Sequence, residues 1–245
     1  MKADPEAQRR LLDLQAIDTQ LTQIAHKRRT LPEIAELDRL ARELSALEDD
    51  RVRAQVELDD LDRDISRLEK DVDQVRARAD KDRARLDVGT GPARELEALQ
   101  HELATLTRRQ GELEDAELEL MEQREGAQAS YDEIVARLST VGASRDELQQ
   151  RHDVAIGDLD KDRDWKTSAR APLVADLPAD LVALYDKIRE QSGIGAALLR
   201  FGRCEGCRLD LSGSERARVK GLPADEVVRC EECRRILVRT AESGL

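Results

Sequence analysis

Aromatic side chains are nearly absent: Tyr131, Trp165, Tyr185 and Phe201 are the only four among 245 residues. With charged residues at 38%, so few rings exclude a conventional globular core, which relies on large buried side chains. The apolar 40% is mostly Leu, Ala and Val interleaved with Arg, Glu and Asp. That bias belongs to long helices and coiled coils, so the chain is expected to be elongated. Uncharged apolar runs are missing too. No stretch approaches the roughly 18 residues a spanning helix needs, and residues 1–10 lack the apolar segment of a signal peptide. No membrane is expected, and a cytoplasmic location is.

Cysteine is scarce and confined. All four fall in the last fifth of the chain as two CxxC pairs, Cys204 with Cys207 and Cys230 with Cys233. In a reducing compartment this arrangement serves metal before disulfides. Each pair makes a tight knuckle with two sulfurs on one side of the chain, and two knuckles complete a tetrahedron around Zn2+ with Zn–S of about 2.3 Å. Four protein ligands leave no open position for water, so one structural zinc ion is expected. Iron, disulfides or a redox pair are the alternatives, although a thioredoxin-like CxxC would sit beside a βαβ pattern, which is missing. The 22 residues between the pairs slightly exceed the typical 15–20 and leave room for a loop. Leu209 and Leu211 alternate after the first knuckle, Val227 and Val228 precede the second, and Ile236, Leu237 and Val238 follow it, as strands of a ribbon should.

Net positive charge is lacking too. The net charge of −12 argues against the whole molecule binding polyanions, since phosphate affinity comes from Lys and Arg. Residues 200–239 hold ten cations and seven anions, a local +3. A zinc held by four thiolates carries −2 and reduces this to about +1.

What is abundant is leucine at heptad spacing. A 3,4 pattern over residues 37–86 selects Leu37, Leu40, Leu44, Leu47, Arg51, Ala54, Leu58, Leu61, Ile65, Leu68, Val72, Val75, Ala79, Asp82 and Leu86. Heptads sustained this far make a supercoiled seam. Leu14, Ile17, Leu21 and Ile24 carry the same spacing out of register with Leu37, and Pro32 lies in the gap, which predicts a kink near 30–32. Gly89, Gly91 and Pro92 mark a hairpin tip near 88–92. A second seam follows through Leu96, Leu99, Leu103, Leu106, Gln110, Leu113, Glu117, Leu120, Arg124, Ala127, Tyr131, Ile134, Leu138, Val141, Arg145, Leu148, His152, Ala155 and Leu159. The short loop makes an antiparallel return the simplest path, with facing residue numbers summing to about 182. The polar seam residues should loosen the coil locally, and the N-terminal turns would then dock on the C-terminal module.

The predicted fold is mainly α: a long antiparallel two-helix coiled-coil hairpin plus a small C-terminal β zinc ribbon with a short helix. The expected divisions are the hairpin over 1–165, a linker and short helix over 166–199, and the C4 ribbon over 200–245. Catalysis has no visible machinery. His26, His101 and His152 lie apart on the helices, and Gly89-Thr90-Gly91 lacks the Lys-Ser/Thr continuation of a phosphate loop. The protein is therefore read as non-enzymatic, with no small-molecule substrate.

These residues resemble the family of bacterial coiled-coil hairpin proteins with a C-terminal four-cysteine zinc ribbon. The resemblance rests on the helix around Tyr185, Ile188 and Arg189, the Ser192-Gly193-Ile194-Gly195 stretch, both CxxC pairs, Arg235-Ile236-Leu237-Val238, and the start of the second helix from Arg94 to Glu102. Family ribbons usually carry Gly where Arg234 stands. The resemblance implies a binding or adaptor role in gene expression, through DNA, RNA or transcription-machinery proteins. For some members it implies a link to flagellar regulation through an alternative sigma factor, which transfers only to a host possessing both.

Two functional readings follow. In the first the ribbon contacts nucleic acid through Arg203, Arg208, Arg216, Arg218, Lys220, Arg229, Arg234, Arg235 and Arg239. The competing view of those side chains is a solvated mixed-charge surface, since Phe201 is the one aromatic near enough to stack a base. In the second, the acidic coiled coil is a scaffold that binds protein partners without touching nucleic acid.

Overall fold

The computed structural model describes all residues, Met1–Leu245. Five helices and four short strands follow in the order α1 (Pro5–Arg29), α2 (Pro32–Val88), α3 (Ala93–Ala175), α4 (Ala179–Ser192), β1 (Ala196–Arg200), β2 (Arg203–Cys204), α5 (Gly213–Gly221), β3 (Val228–Arg229) and β4 (Ile236–Val238). None of the helices is long and apolar enough to cross a membrane. The chain divides into two compact units, one of Met1–Ile34 with Gln150–Leu245 and one of Ala35–Gln149.

The second unit is the antiparallel pairing of α2 with α3. Every seam residue of α2 from Leu37 to Leu86 is buried or half-buried, the Arg51 and Asp82 positions included. On α3 the seam holds through Leu148 with one exception. Arg145 is exposed and pairs with neighbouring Asp146 at 2.6 Å, because a guanidinium on a short side-turn finds water and a carboxylate more cheaply than an apolar groove. Cross-helix ion pairs fix the direction: Arg76 with Glu114 at 3.2 Å, Asp62 with Arg124 at 2.9 Å, Glu43 with Arg137 at 4.0 Å, and Arg78 with Glu102. At the tip, Gly89 (φ 62°) and Gly91 (φ 154°) take backbone conformations closed to most residues, and Pro92 leads into α3.

The first unit joins both ends of the chain. Asp4 caps α1 by accepting from the Glu6 amide at 2.8 Å. That helix ends at Arg29, and α2 restarts at Pro32, whose ring and missing N–H disfavour an uninterrupted helix. The start of the expected linker and short helix over residues 166–199 is instead part of α3, which stays helical to Ala175 with Pro172 inside it. Heptads end there because the packing partner changes. Leu173 and Val174 leave the two-helix seam and pack against α1 and α4 in a core built on Leu11, Leu14, Leu181, Tyr185 and Ile188.

The sheet order is β2-β1-β4-β3, with β1 parallel to β4 and the other pairs antiparallel. Side chains alternate across it. Ala196, Ile236 and Val238 enter the helical core, whereas Ala197, Leu199 and Leu237 join Cys204, Cys230, Leu211, Val219 and Val228 on the other face. The expected strand at Leu209–Leu211 is therefore displaced by β1, which lies before the first knuckle. The chain start extends the edge: the Val227 amide donates to the Met1 carbonyl at 2.9 Å and the Ala3 amide to that of Asp225 at 2.8 Å.

A buried polar network ties helices to sheet. Asp18, 1% exposed, accepts from Arg170 Nε at 2.8 Å and Tyr185 OH at 2.8 Å and sits 3.4 Å from Arg189 Nε. Gln15 Oε1 accepts from the Gly195 amide at 2.7 Å. Burial and the hydrogen bond to Asp18 push the Tyr185 phenol well above its ordinary range, so it stays a donor. Gly195 is required here, since a Cβ would lie 2.5 Å from the Tyr185 ring. Removing the carboxylate takes the acceptor from the buried Tyr185 hydroxyl and from two partly exposed guanidiniums, of which Arg170 keeps Asp186 at 3.0 Å, so Asp18→Ala should cost about 1.5–3 kcal/mol. Urea unfolding of the full chain checks this; a loss under about 1 kcal/mol would place Asp18 among ordinary surface ion pairs.

Candidate metal centre

The two knuckles are copies of one another at an offset of 26 residues, Arg203-Cys204-Glu205-Gly206-Cys207-Arg208 and Arg229-Cys230-Glu231-Glu232-Cys233-Arg234. Backbone bonds repeat in each. The Arg208 amide donates to the Cys204 carbonyl at 2.7 Å and the Arg234 amide to that of Cys230 at 3.0 Å. The Cys204 and Cys230 amides reach forward to the Leu209 and Arg235 carbonyls, both at 3.0 Å. Such closure needs a left-handed residue after the second cysteine, and Arg208 (φ 63°) and Arg234 (φ 62°) supply it. Arg234 thus adopts the backbone that the resemblance assigns to Gly.

The copies differ at one place for a steric reason. A Cβ on Gly206 would lie 2.9 Å from both the Ala197 methyl and Arg235 Cδ, so Gly stands where the second knuckle has exposed Glu232. Arg235 uses that closeness, donating from Nη1 to the Gly206 carbonyl at 2.6 Å and from Nη2 to that of Ser192 at 3.3 Å. The long spacing between the pairs holds α5. Ser212 caps that helix, and buried Glu215 accepts from the Glu231 amide at 3.1 Å, which moors the second knuckle.

All four sulfurs lie within 4.8 Å of one another. Cys204 Sγ is 3.8 Å from Cys233 Sγ, and Cys207 Sγ is 3.9 Å from Cys230 Sγ. A tetrahedron with Zn–S bonds of about 2.3 Å has sulfur–sulfur edges of about 3.8 Å, so the donor set fits this ion. The same distances are far from the roughly 2.05 Å of a disulfide. Burial pushes the Cys204 thiol well up and that of Cys230 up to about 11. At Cys233 the same desolvation is outweighed by the Arg235 amide and the other thiols, and the thiol is lowered. A cation at the centre is what would make all four thiolates favourable.

The ribbon cations divide into two groups. Arg203, Arg208, Arg216, Lys220, Arg229 and Arg234 are exposed. Arg218 pairs with Glu231 at 3.1 Å. Arg235 is committed to the knuckle and α4, and Arg239 is inward, donating to the carbonyls of Val219, Leu222, Pro223, Ala224 and Glu226. Arg235 and Arg239, expected among the candidate contacts, give their donors to backbone carbonyls instead, because one guanidinium fork can satisfy several converging acceptors at once. Sequence reasoning missed the Asp18 network, which carries no local signature, and the full six-residue repeat, which was legible had the flanking arginines been compared.

Comparison with known proteins agrees with this geometry. Residues 14–193 match the model of the CT398-like coiled coil hairpin domain. The chain belongs to that family. Residues 203–237 match the C4-type zinc ribbon domain, and with four clustered sulfurs the centre is consistent with one structural zinc ion. The uncharacterized protein Rv2229c of Mycobacterium tuberculosis is 40% identical over 98% of both chains. A solved Mycobacterium smegmatis structure is 38% identical, with a TM-score of 0.88 over 98% of this chain and 100% of that one. The structure of CT398 from Chlamydia trachomatis shares the fold at 18% identity, with a TM-score of 0.71 over 95% and 97% of the two chains.

Metal analysis should find about one zinc per chain, and strong chelation should abolish ribbon order while helical circular dichroism stays largely intact. Retention of ribbon amide protection after chelation would contradict a structural metal. Zinc-bound thiolates have depressed pKa values, so the loaded ribbon should lose stability as pH falls and the thiols compete with the metal for protons. Thermal melts of the zinc-loaded chain across pH read this directly.

Proposed function

We propose that the protein is a non-enzymatic nucleic-acid-binding adaptor associated with transcription, with the ribbon as its contact head. A hairpin family and a zinc ribbon support a binding role without catalysis. The observation that carries the nucleic-acid reading is the display of unpaired cations. Arg203, Arg208, Arg216, Lys220, Arg229 and Arg234 are exposed and have no carboxylate at ion-pair distance, whereas arginines of the helical pair are widely matched to Asp and Glu. Charge is segregated accordingly. Residues 35–149 hold 18 Lys and Arg against 31 Asp and Glu, a net −13, which leaves +1 for the unit bearing the ribbon, or about −1 with a zinc tetrathiolate. Phosphate contact is opposed least there.

A second reading has its own observation. On α3, exposed Asp115, Glu119, Glu122 and Glu125 surround Leu118 and Met121, which are 59% and 44% exposed. Such a surface suits a basic protein partner, and the helical pair would then act as a scaffold.

Fluorescence anisotropy of the zinc-loaded full chain with DNA and RNA oligonucleotides, titrated with salt, tests the first reading. The Arg208→Glu/Arg234→Glu variant should weaken binding, and removal of each phosphate contact should lower the salt slope by about 1. Absence of binding, or indifference to the charge reversal, would refute it. Capture of a protein partner that survives nuclease and is lost on Leu118→Glu would favour the scaffold.

A further inference from the structure

We propose that Arg203 and Arg229 are positioning residues for the zinc centre, each bracing its knuckle from outside the ligand set through a single Nε–H. Arg203 Nε donates to the Arg208 carbonyl at 2.7 Å, and Arg229 Nε donates to the Arg234 carbonyl at 2.9 Å. The donor directly precedes the first cysteine of its pair, and the acceptor directly follows the second. The side chain therefore closes a ring around both ligands. That the same bond recurs on two segments 26 residues apart, with Gly206 in one turn where the other has Glu232, marks it as a feature of the knuckle and not of its surroundings.

The brace acts on the costly part of the turn. Arg208 and Arg234 hold left-handed backbones at φ 63° and 62°, a conformation that a residue with a Cβ leaves readily unless neighbouring bonds hold it. The carbonyl gripped by the brace belongs to that same residue. That carbonyl and the amide that bonds back to the first cysteine belong to the two peptide planes on either side of the left-handed residue, so the two bonds together hold its φ and ψ. With the brace made, the turn that faces the sulfurs of Cys207 and Cys233 towards Cys230 and Cys204 is held by a side chain as well as by backbone bonds. Without it, backbone bonds alone must hold the left-handed residue around bound zinc. Partners of this kind outside the ligand set commonly change metal affinity 10–100-fold.

The arginines have a competing explanation, which is neutralisation of the net −2 of a zinc tetrathiolate. Side-chain geometry separates the two. Gln places an N–H donor at the same number of bonds from Cα as Arg Nε but carries no charge. Met has the same reach with neither donor nor charge. Lys keeps the charge and lacks a donor at that position.

The experiment compares Arg203→Met, Arg203→Gln and Arg203→Lys, and the matching set at 229, in the full chain. Zinc affinity and release are followed by competition with a chromophoric chelator, and helical circular dichroism monitors the fold. Each Met variant should bind zinc about tenfold more weakly and release it faster, and each Gln variant should stay close to the parent. Met variants that hold zinc as the parent does, or Gln variants as weak as Met, would overturn the brace; Lys restoring the parent affinity where Gln fails would assign the effect to charge. A parent chain that binds no zinc would instead sink the metal assignment on which the inference rests.

Discussion

Four sulfurs drawn to one point constrain the ribbon more than any other interaction. Its strands are two to five residues long, too short to persist as an isolated sheet. Cys204 and Cys230 are themselves part of the core on one face of that sheet, beside Ala197, Leu199 and Leu237. The ligands are therefore also packing residues. A metal that joins residue 204 to 233 and 207 to 230 closes the long excursion through α5, and the small apolar core has only to complete what this cross-link begins.

From this centre the structure reaches the helices through shared strands. In β1 and β4 one set of side chains lines the metal face and the alternate set enters the core of α1, α3 and α4. Gln15 and Asp18 then reach from α1 to the start of β1 and to α3 and α4. A polar network closed around a buried carboxylate specifies one arrangement more sharply than leucines would, since any slip leaves that charge unpaired. The two chain termini thus share one folding unit, and the knuckle arginines project from a braced base.

Much of this was legible because the carrying signals are local or periodic. CxxC spacing selects the metal, fifteen seam positions on α2 sustain the coil, Gly89 and Gly91 set the tip, and Pro32 breaks the helix. What escaped depends on contacts distant in sequence. β1 reads as an undistinguished Ala-Ala-Leu-Leu run, since a strand covered on both faces shows no alternation. Residues 166–175 resemble a linker by heptad count, yet remain helical once two other helices replace one. Arg239 looks like a phosphate contact until five loop carbonyls converge on it. Asp18 is one carboxylate among 53 acidic residues, and no sequence rule separates it from those in solvent.

The most direct test of the account is X-ray absorption at the zinc edge on the full-length protein. The account predicts a single shell of four sulfurs at about 2.3 Å. Nitrogen or oxygen in that shell, fewer sulfurs, or no zinc with the cysteines joined as disulfides would contradict it.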